Sequence, residues 1–193
     1  MIDRDKQLKL LKQYISGDRL KHSISVEKTA IKLAKKFGAD EKKAAAAGLL
    51  HDIAKDLSKS DRNALIKKYK LELTPLEESS PELLHGKLGA LILAENGITN
   101  QKVLSAVENH TMGADNMSTL DKIIYLADLI EPKRNFKGVK KLRFYAARDL
   151  DIALFESMKA SMLRVLKNDK AIHPKTVDAY NHLLINHINT KLF

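Results

Sequence analysis

The stretch Ala44-Ala45-Ala46-Ala47-Gly48-Leu49-Leu50-His51-Asp52-Ile53-Ala54-Lys55-Asp56 constrains this chain more than any other. Its alanines favour a helix, and side chains this small let neighbouring helices approach closely. Ordinary packing gives no reason for a histidine and a carboxylate side by side at the inner end of such a helix. The pair is the first sign of chemistry.

The rest of the chain repeats apolar residues with a period near 3.6 and shows no sustained two-residue alternation, which predicts an all-α helical bundle. At 193 residues it suits one domain spanning 1–193, long enough to bury roughly 70% of its unfolded surface. The absence of cysteine excludes disulfides, thiolate metal sites and a cysteine nucleophile, and fits a reducing, cytoplasmic setting. Met1 to Lys6 reads as a charged amphipathic opening rather than a signal peptide, and no apolar run reaches the roughly 18 residues of a membrane span. A net charge of +10 favours anionic partners, but the five Phe and five Tyr are not interleaved with the basic residues as a base-stacking surface would need, so nucleic acid is disfavoured.

In chain order the pattern predicts a helix from Arg4 to Ile15, a second re-capped at Gly17-Asp18 and reaching Phe37, and a third capped by Asp40 and ending in His51 and Asp52. A polar helix from Ser58 to Tyr69 follows, then a loop through Thr74-Pro75 and Glu77 to Pro81. Ser80 is expected to cap, and Pro81 to open, the helix carrying His85, which stops at Asn96-Gly97. Further helices are expected over Asn100 to His110, from a Ser118 cap to Pro132, from Lys140 to Asn168 with a break near Asp149, and from Pro174 onward.

Six residues on five of these helices stand at inward or end positions: His22, His51, Asp52, His85, His110 and Asp128. His22 leads a stripe with Val26, Ala30, Leu33 and Phe37, His85 shares a face with Leu88, Gly89 and Ile92, and His110 follows Val103, Ala106 and Val107. A single histidine on an apolar face is more often a hydrogen-bonded core residue than a ligand, and His187, to which its own helix offers no carboxylate neighbour, reads as structural. His173 and His182 read as cap or surface residues. Imidazole and carboxylate together suit borderline divalent ions such as iron, manganese, cobalt or zinc, and six such ligands suit two ions better than one, with Asp52 as the bridge.

The ordered series His, His-Asp, Asp resembles the HD-domain metal-dependent phosphohydrolases, with His22 matching the first histidine, His51-Asp52 the doublet and Asp128 the last aspartate. The segments His22-Ser23, Leu50 to Lys55, His85-Gly86 with Gly89-Ala90, His110-Thr111 with Gly113, and Ala127 to Pro132 with Arg134 are similar to the YqeK-type branch. That resemblance implies an HD-domain bundle with its metal-site core over about 18–135 and C-terminal helices over about 138–190. It also implies two divalent ions, iron first and manganese, cobalt or zinc as alternatives, and symmetrical hydrolysis of diadenosine tetraphosphate by hydroxide attack on a central phosphate. At Met112 the chain departs from relatives that often carry a second hydroxyl residue.

Lys55, one turn after His51, and Arg134 are expected to meet substrate phosphates, with Thr111 as a further contact, while Asp56 would orient a ligand or protonate the leaving group. The catalytic set is thus Asp52, Lys55, Asp56 and Arg134. Tyr125, Phe136, Phe144 and Tyr145 are expected mostly in the core. The expected partner is a small-molecule nucleotide, and a homodimer is left open. The competing readings are an HD-type hydrolase of another nucleotide, a monoester or cyclic dinucleotide, and a basic nucleotide- or RNA-binding helical module.

Overall fold

Residues 3–188 are described by a computed structural model. Among them there is no strand, and the chain is a bundle of helices, as the periodicity requires. α1 (Arg4–Leu11) starts at Asp3, whose carboxylate accepts from the Asp5 amide, and ends a turn before the expected Ile15. α2 (Gly17–Phe37) begins at Gly17 with φ +55°, and Ser16, rather than Asp18, holds the cap position. It closes at Gly38 in the left-handed region, as expected.

α3 (Glu41–Leu50) is capped by Asp40, which accepts from the Lys42 and Lys43 amides. It ends at Leu50, before the expected His51-Asp52, and residues 51–56 form turns. A Cβ on Gly48 would sit 3.0 Å from the Glu27 backbone and 3.1 Å from the Ala30 methyl, so the small residues of α3 are spent on closeness to α2. α4 (Lys59–Lys68) is a surface helix with no buried residue.

The expected loop over Glu77 to Pro81 is instead the short helix α5 (Pro75–Ser79). Thr74 and Glu77 build a reciprocal capping box there, a signal masked in the sequence by the neighbouring prolines. Ser80 makes no side-chain cap, and Pro81–Leu84 is a 3₁₀ turn, so the following helix α6 (His85–Glu95) starts at His85 itself. α7 (Gln101–Asn109) is capped by Asn100, and α8 (Thr119–Ile130) by Ser118 with Asp121 in a second capping box. The expected long helix after Lys140 divides into α9 (Val139–Ala146) and α10 (Leu150–Lys167), with Asp149 capping the second. α11 (Pro174–Leu183) passes into one π turn at Leu184–Ile188, and the expected end of this helix lies outside the described residues.

α2, α3, α7 and α8 pack on one another around Val26, Ala30, Leu49, Leu50, Val107 and Ile124, all fully buried. α6 lies on α7, and α10 joins α8 to α9 and α11. The inner ends of α3, α6, α7 and α8 therefore meet beside the N-terminal part of α2, where the expected ligands stand.

Candidate metal centre

Four imidazoles form a row. His22 and His51 have ring centroids 5.3 Å apart, His51 and His110 5.0 Å, and His110 and His85 4.9 Å. Asp52 lies between the two ends. Its Oδ2 is 3.5 Å from His51 Nε2, and its Oδ1 is 3.4 Å from His85 Nε2 and 3.6 Å from His110 Nε2. Asp128 Oδ1 lies 2.9 Å from His22 Nε2 and 3.8 Å from His51 Nε2. His51, Asp52, His85 and His110 are all buried.

One local device orients three of these rings. Helix ends leave carbonyls without an intrahelical partner, and Nδ1 of His51, His85 and His110 each turns back to the carbonyl three residues earlier, at Gly48 (2.9 Å), Glu82 (2.6 Å) and Val107 (2.6 Å). A carbonyl only accepts, so each Nδ1 carries the proton and each Nε2 presents a lone pair. His22 is inside α2 with no such carbonyl, and its Nδ1 donates instead to Glu131 Oε1 at 3.2 Å. Glu131 is held in turn by Ser25 Oγ (2.6 Å) and the Lys133 amide (2.8 Å).

These donors fit divalent ions. His51 Nε2 is buried with no hydrogen-bond partner, and the buried His22 Nε2 has only the Asp128 carboxylate beside it, the mark of atoms meant for another ligand. Two triads, His22-His51-Asp52 and Asp52-His85-His110, each gather their ligand atoms within 4.8 Å, and Asp52 belongs to both through different oxygens. Nitrogen and carboxylate donors without sulfur suit iron, manganese, cobalt or zinc.

Electrostatics keep the donors ready. Burial pushes His51 down, and burial with the neighbouring His110 and Lys55 pushes His85 down to about 3. Burial opposes ionisation of Asp52, but His51, His110 and His85 outweigh it and hold the carboxyl well below its usual range. Asp128 is partly buried and is likewise held low against desolvation, by His22, His51 and Arg134. Burial lowers His22, and Asp128 and Glu131 outweigh it, so this ring is raised.

Cations surround the pair of carboxylates. Lys55, in the turn after α3, sets Nζ 3.2 Å from His85 Nε2, and burial lowers its pKa. Thr111 Oγ1 is 2.9 Å from His85 Nε2 and 3.1 Å from His110 Nε2. Arg134 pairs with the Asp128 carboxylate and donates to its carbonyl at 2.8 Å. Asp56 is half-exposed and touches no histidine of the row. It holds Arg19 Nε at 2.7 Å, while Arg19 Nη1 reaches Asp52 Oδ2 at 3.0 Å.

Sequence reasoning missed Arg19 and Glu131. Each stands three residues from a proposed ligand, Arg19 before His22 and Glu131 after Asp128, and that spacing was the available signal. His187 does have a carboxylate neighbour, Asp151 Oδ2 at 3.5 Å from α10, which helical spacing within α11 could not show. His182 pairs with Asp115 at 2.7 Å, and His173 caps α11 but is buried rather than superficial. Of the four aromatics expected mostly inside, Tyr125 is core and Tyr145 partly buried, whereas Phe136 and Phe144 are exposed.

The metal centre opens into a cleft of about 840 Å³. Its walls carry Arg19, Lys55, Arg134, Lys137, Arg164 and Lys167, and the carboxylates on it are Asp52 and Asp128. No helix among the described residues is long and apolar enough to cross a membrane.

A helical bundle that brings a histidine, a His-Asp doublet and a distant aspartate together defines the class. The chain belongs to the HD domain family, whose model matches residues 19–133. Within that family it is 42% identical over 185 residues to a Halalkalibacterium halodurans protein named bis(5'-nucleosyl)-tetraphosphatase, symmetrical, covering 95% of this chain and 98% of that one. A Bacillus subtilis protein of the same name is 39% identical over 184 residues, with the same coverage. A solved structure of a predicted HD superfamily hydrolase involved in NAD metabolism from Clostridium acetobutylicum superposes with a TM-score of 0.89 at 39% identity, over 95% of this chain and 98% of that one.

Proposed function

We propose that this chain is a metal-dependent hydrolase that splits dinucleoside tetraphosphates, diadenosine tetraphosphate first, symmetrically into two nucleoside diphosphates. The observation that carries the reading is the cleft. Six cationic side chains line it, its two carboxylates belong to the proposed metal centre, and its volume is at the upper end of the roughly 300–1,000 Å³ of ligand sites. A polyanion longer than one nucleotide matches both the charge and the length. The names of the relatives agree with it.

His22, His51, Asp52 and Asp128 would hold one divalent ion and Asp52, His85 and His110 a second, with iron as the first expectation. When bound, such ions neutralise phosphate charge and lower the pKa of water enough to provide a nucleophile near neutral pH. The protein's own groups do the positioning. Lys55 and Thr111, beside His85, meet one phosphate, and Arg134 presents a guanidinium to another from the Asp128 side. Asp56 orients Arg19, which in turn braces Asp52. Two such grips on a tetraphosphate, one on each side of the metal centre, favour scission at its middle. We place the enzyme in the cytoplasm, in keeping with the absence of cysteine.

The test is product analysis on protein reconstituted with Fe²⁺ or Mn²⁺. Diadenosine tetraphosphate should yield two molecules of ADP, and Asp52→Ala should lower the rate at least ~100-fold with the helical content intact. AMP with ATP as products, or no turnover, would overturn the reading.

A further inference from the structure

Phe136 is 41% exposed and lines the cleft. A singly exposed phenylalanine ordinarily calls for no explanation, but three features set this one apart. First, it sits on the connector between α8 and α9, and that connector is braced. Arg143 donates to the carbonyls of Ile130 (2.9 Å), Glu131 (2.7 Å) and Arg134 (2.9 Å), and Arg134 is tied to Asp128. The ring is therefore presented from a fixed backbone coupled to the metal centre. Second, the other exposed ring, Phe144, is already covered by the Arg148 guanidinium at 3.5 Å, and Tyr125 on the cleft wall is buried, so among the described residues Phe136 is the phenylalanine or tyrosine whose face the cleft can use.

Third, the same cleft carries Lys137, Arg164 and Lys167, and among the described residues none of them has a carboxylate partner. Cations grouped without counter-charge await an anion. An uncovered aromatic face together with unpaired cations is the arrangement that binds a base by stacking and its phosphates by charge.

We propose that Phe136 is the platform on which an adenine ring of the substrate stacks, with Lys137, Arg164 and Lys167 taking the phosphates of that same half. This rests on the nucleotide-hydrolase reading above and deepens it. The metal centre sets where the chain is cut, and the Phe136 side of the cleft selects a substrate that carries a base at its end.

The chain contains no tryptophan, so Phe136→Trp introduces a single indole reporter. In metal-loaded protein its emission should be quenched by ADP and unmoved by inorganic pyrophosphate, and Phe144→Trp on the outer face should respond to neither. In parallel, Phe136→Ala should raise KM for diadenosine tetraphosphate roughly tenfold with kcat within about twofold, and Phe136→Trp should restore it. Equal responses to ADP and pyrophosphate, or an unchanged KM in Phe136→Ala, would overturn the proposal. Quenching by ADP in a protein that does not hydrolyse the tetraphosphate would uphold the platform and sink the hydrolase reading alone.

Discussion

A histidine needs its proton fixed on one nitrogen before the other can serve as a ligand, and this chain solves that in two ways. His51, His85 and His110 stand at helix ends and use carbonyls that the helix leaves free. His22, inside a helix whose carbonyls are engaged, borrows the carboxylate of Glu131 from after α8. Glu131 thus orients His22 and raises its basicity without belonging to the proposed ligand set itself. Replacing Glu131 with Gln keeps an acceptor and removes the charge, and partners of this kind typically contribute 10–100-fold in metal affinity. We expect Glu131→Gln to weaken binding of the ion at His22 about tenfold, read by competition with a chelator, while the ion at His85 and His110 is unaffected.

At the scale of elements, the histidines converge because helices come closer than ordinary side chains permit. Gly86 is the clearest case, since a Cβ there would lie 2.5 Å from the Glu108 carbonyl oxygen and 3.1 Å from that of Val107. Backbone cannot yield as a side chain would, so α6 would have to lift off α7. The Val107 carbonyl also orients His110, and His85 is the residue before Gly86, so the shift would open the His85-His110 pair. Gly86→Ala should cost about 1–3 kcal/mol, a fall of several degrees in Tm for a chain of this size. It should also lower metal content per chain, whereas a pure stability defect would leave the folded fraction fully loaded.

Over the whole molecule, the surplus of 34 basic over 24 acidic residues is not spread as a uniform coat. Part of it is concentrated on the cleft walls, where the opposite charges are Asp52 and Asp128 of the proposed metal centre. A polyphosphate is therefore drawn to the side that carries the proposed metal centre. Screening shortens the reach of such fields from about 10 Å at 0.1 M salt to about 3 Å at 1 M. KM for diadenosine tetraphosphate should accordingly rise several-fold between about 0.1 and 0.5 M salt with kcat nearly constant, measured in steady-state assays with a non-coordinating salt.

By itself the sequence determined the all-helical fold, through a period of 3.6 that leaves no stretch free for strand pairing. It also determined the candidates for the centre, because His22, His51-Asp52, His85, His110 and Asp128 are residues whose inward placement packing alone does not call for. Local signals fell short where two of them overlapped, as at Thr74 to Pro81, where proline-rich spacing hid a capping box. Only the tertiary structure decided which oxygen of Asp52 faces which histidines, that Arg19 and Glu131 join the site from one turn away, and that Phe136 faces the cleft while Phe144 is covered. Those facts depend on distances between helices far apart in the chain, and helix periodicity reports which face is buried, not what it is buried against.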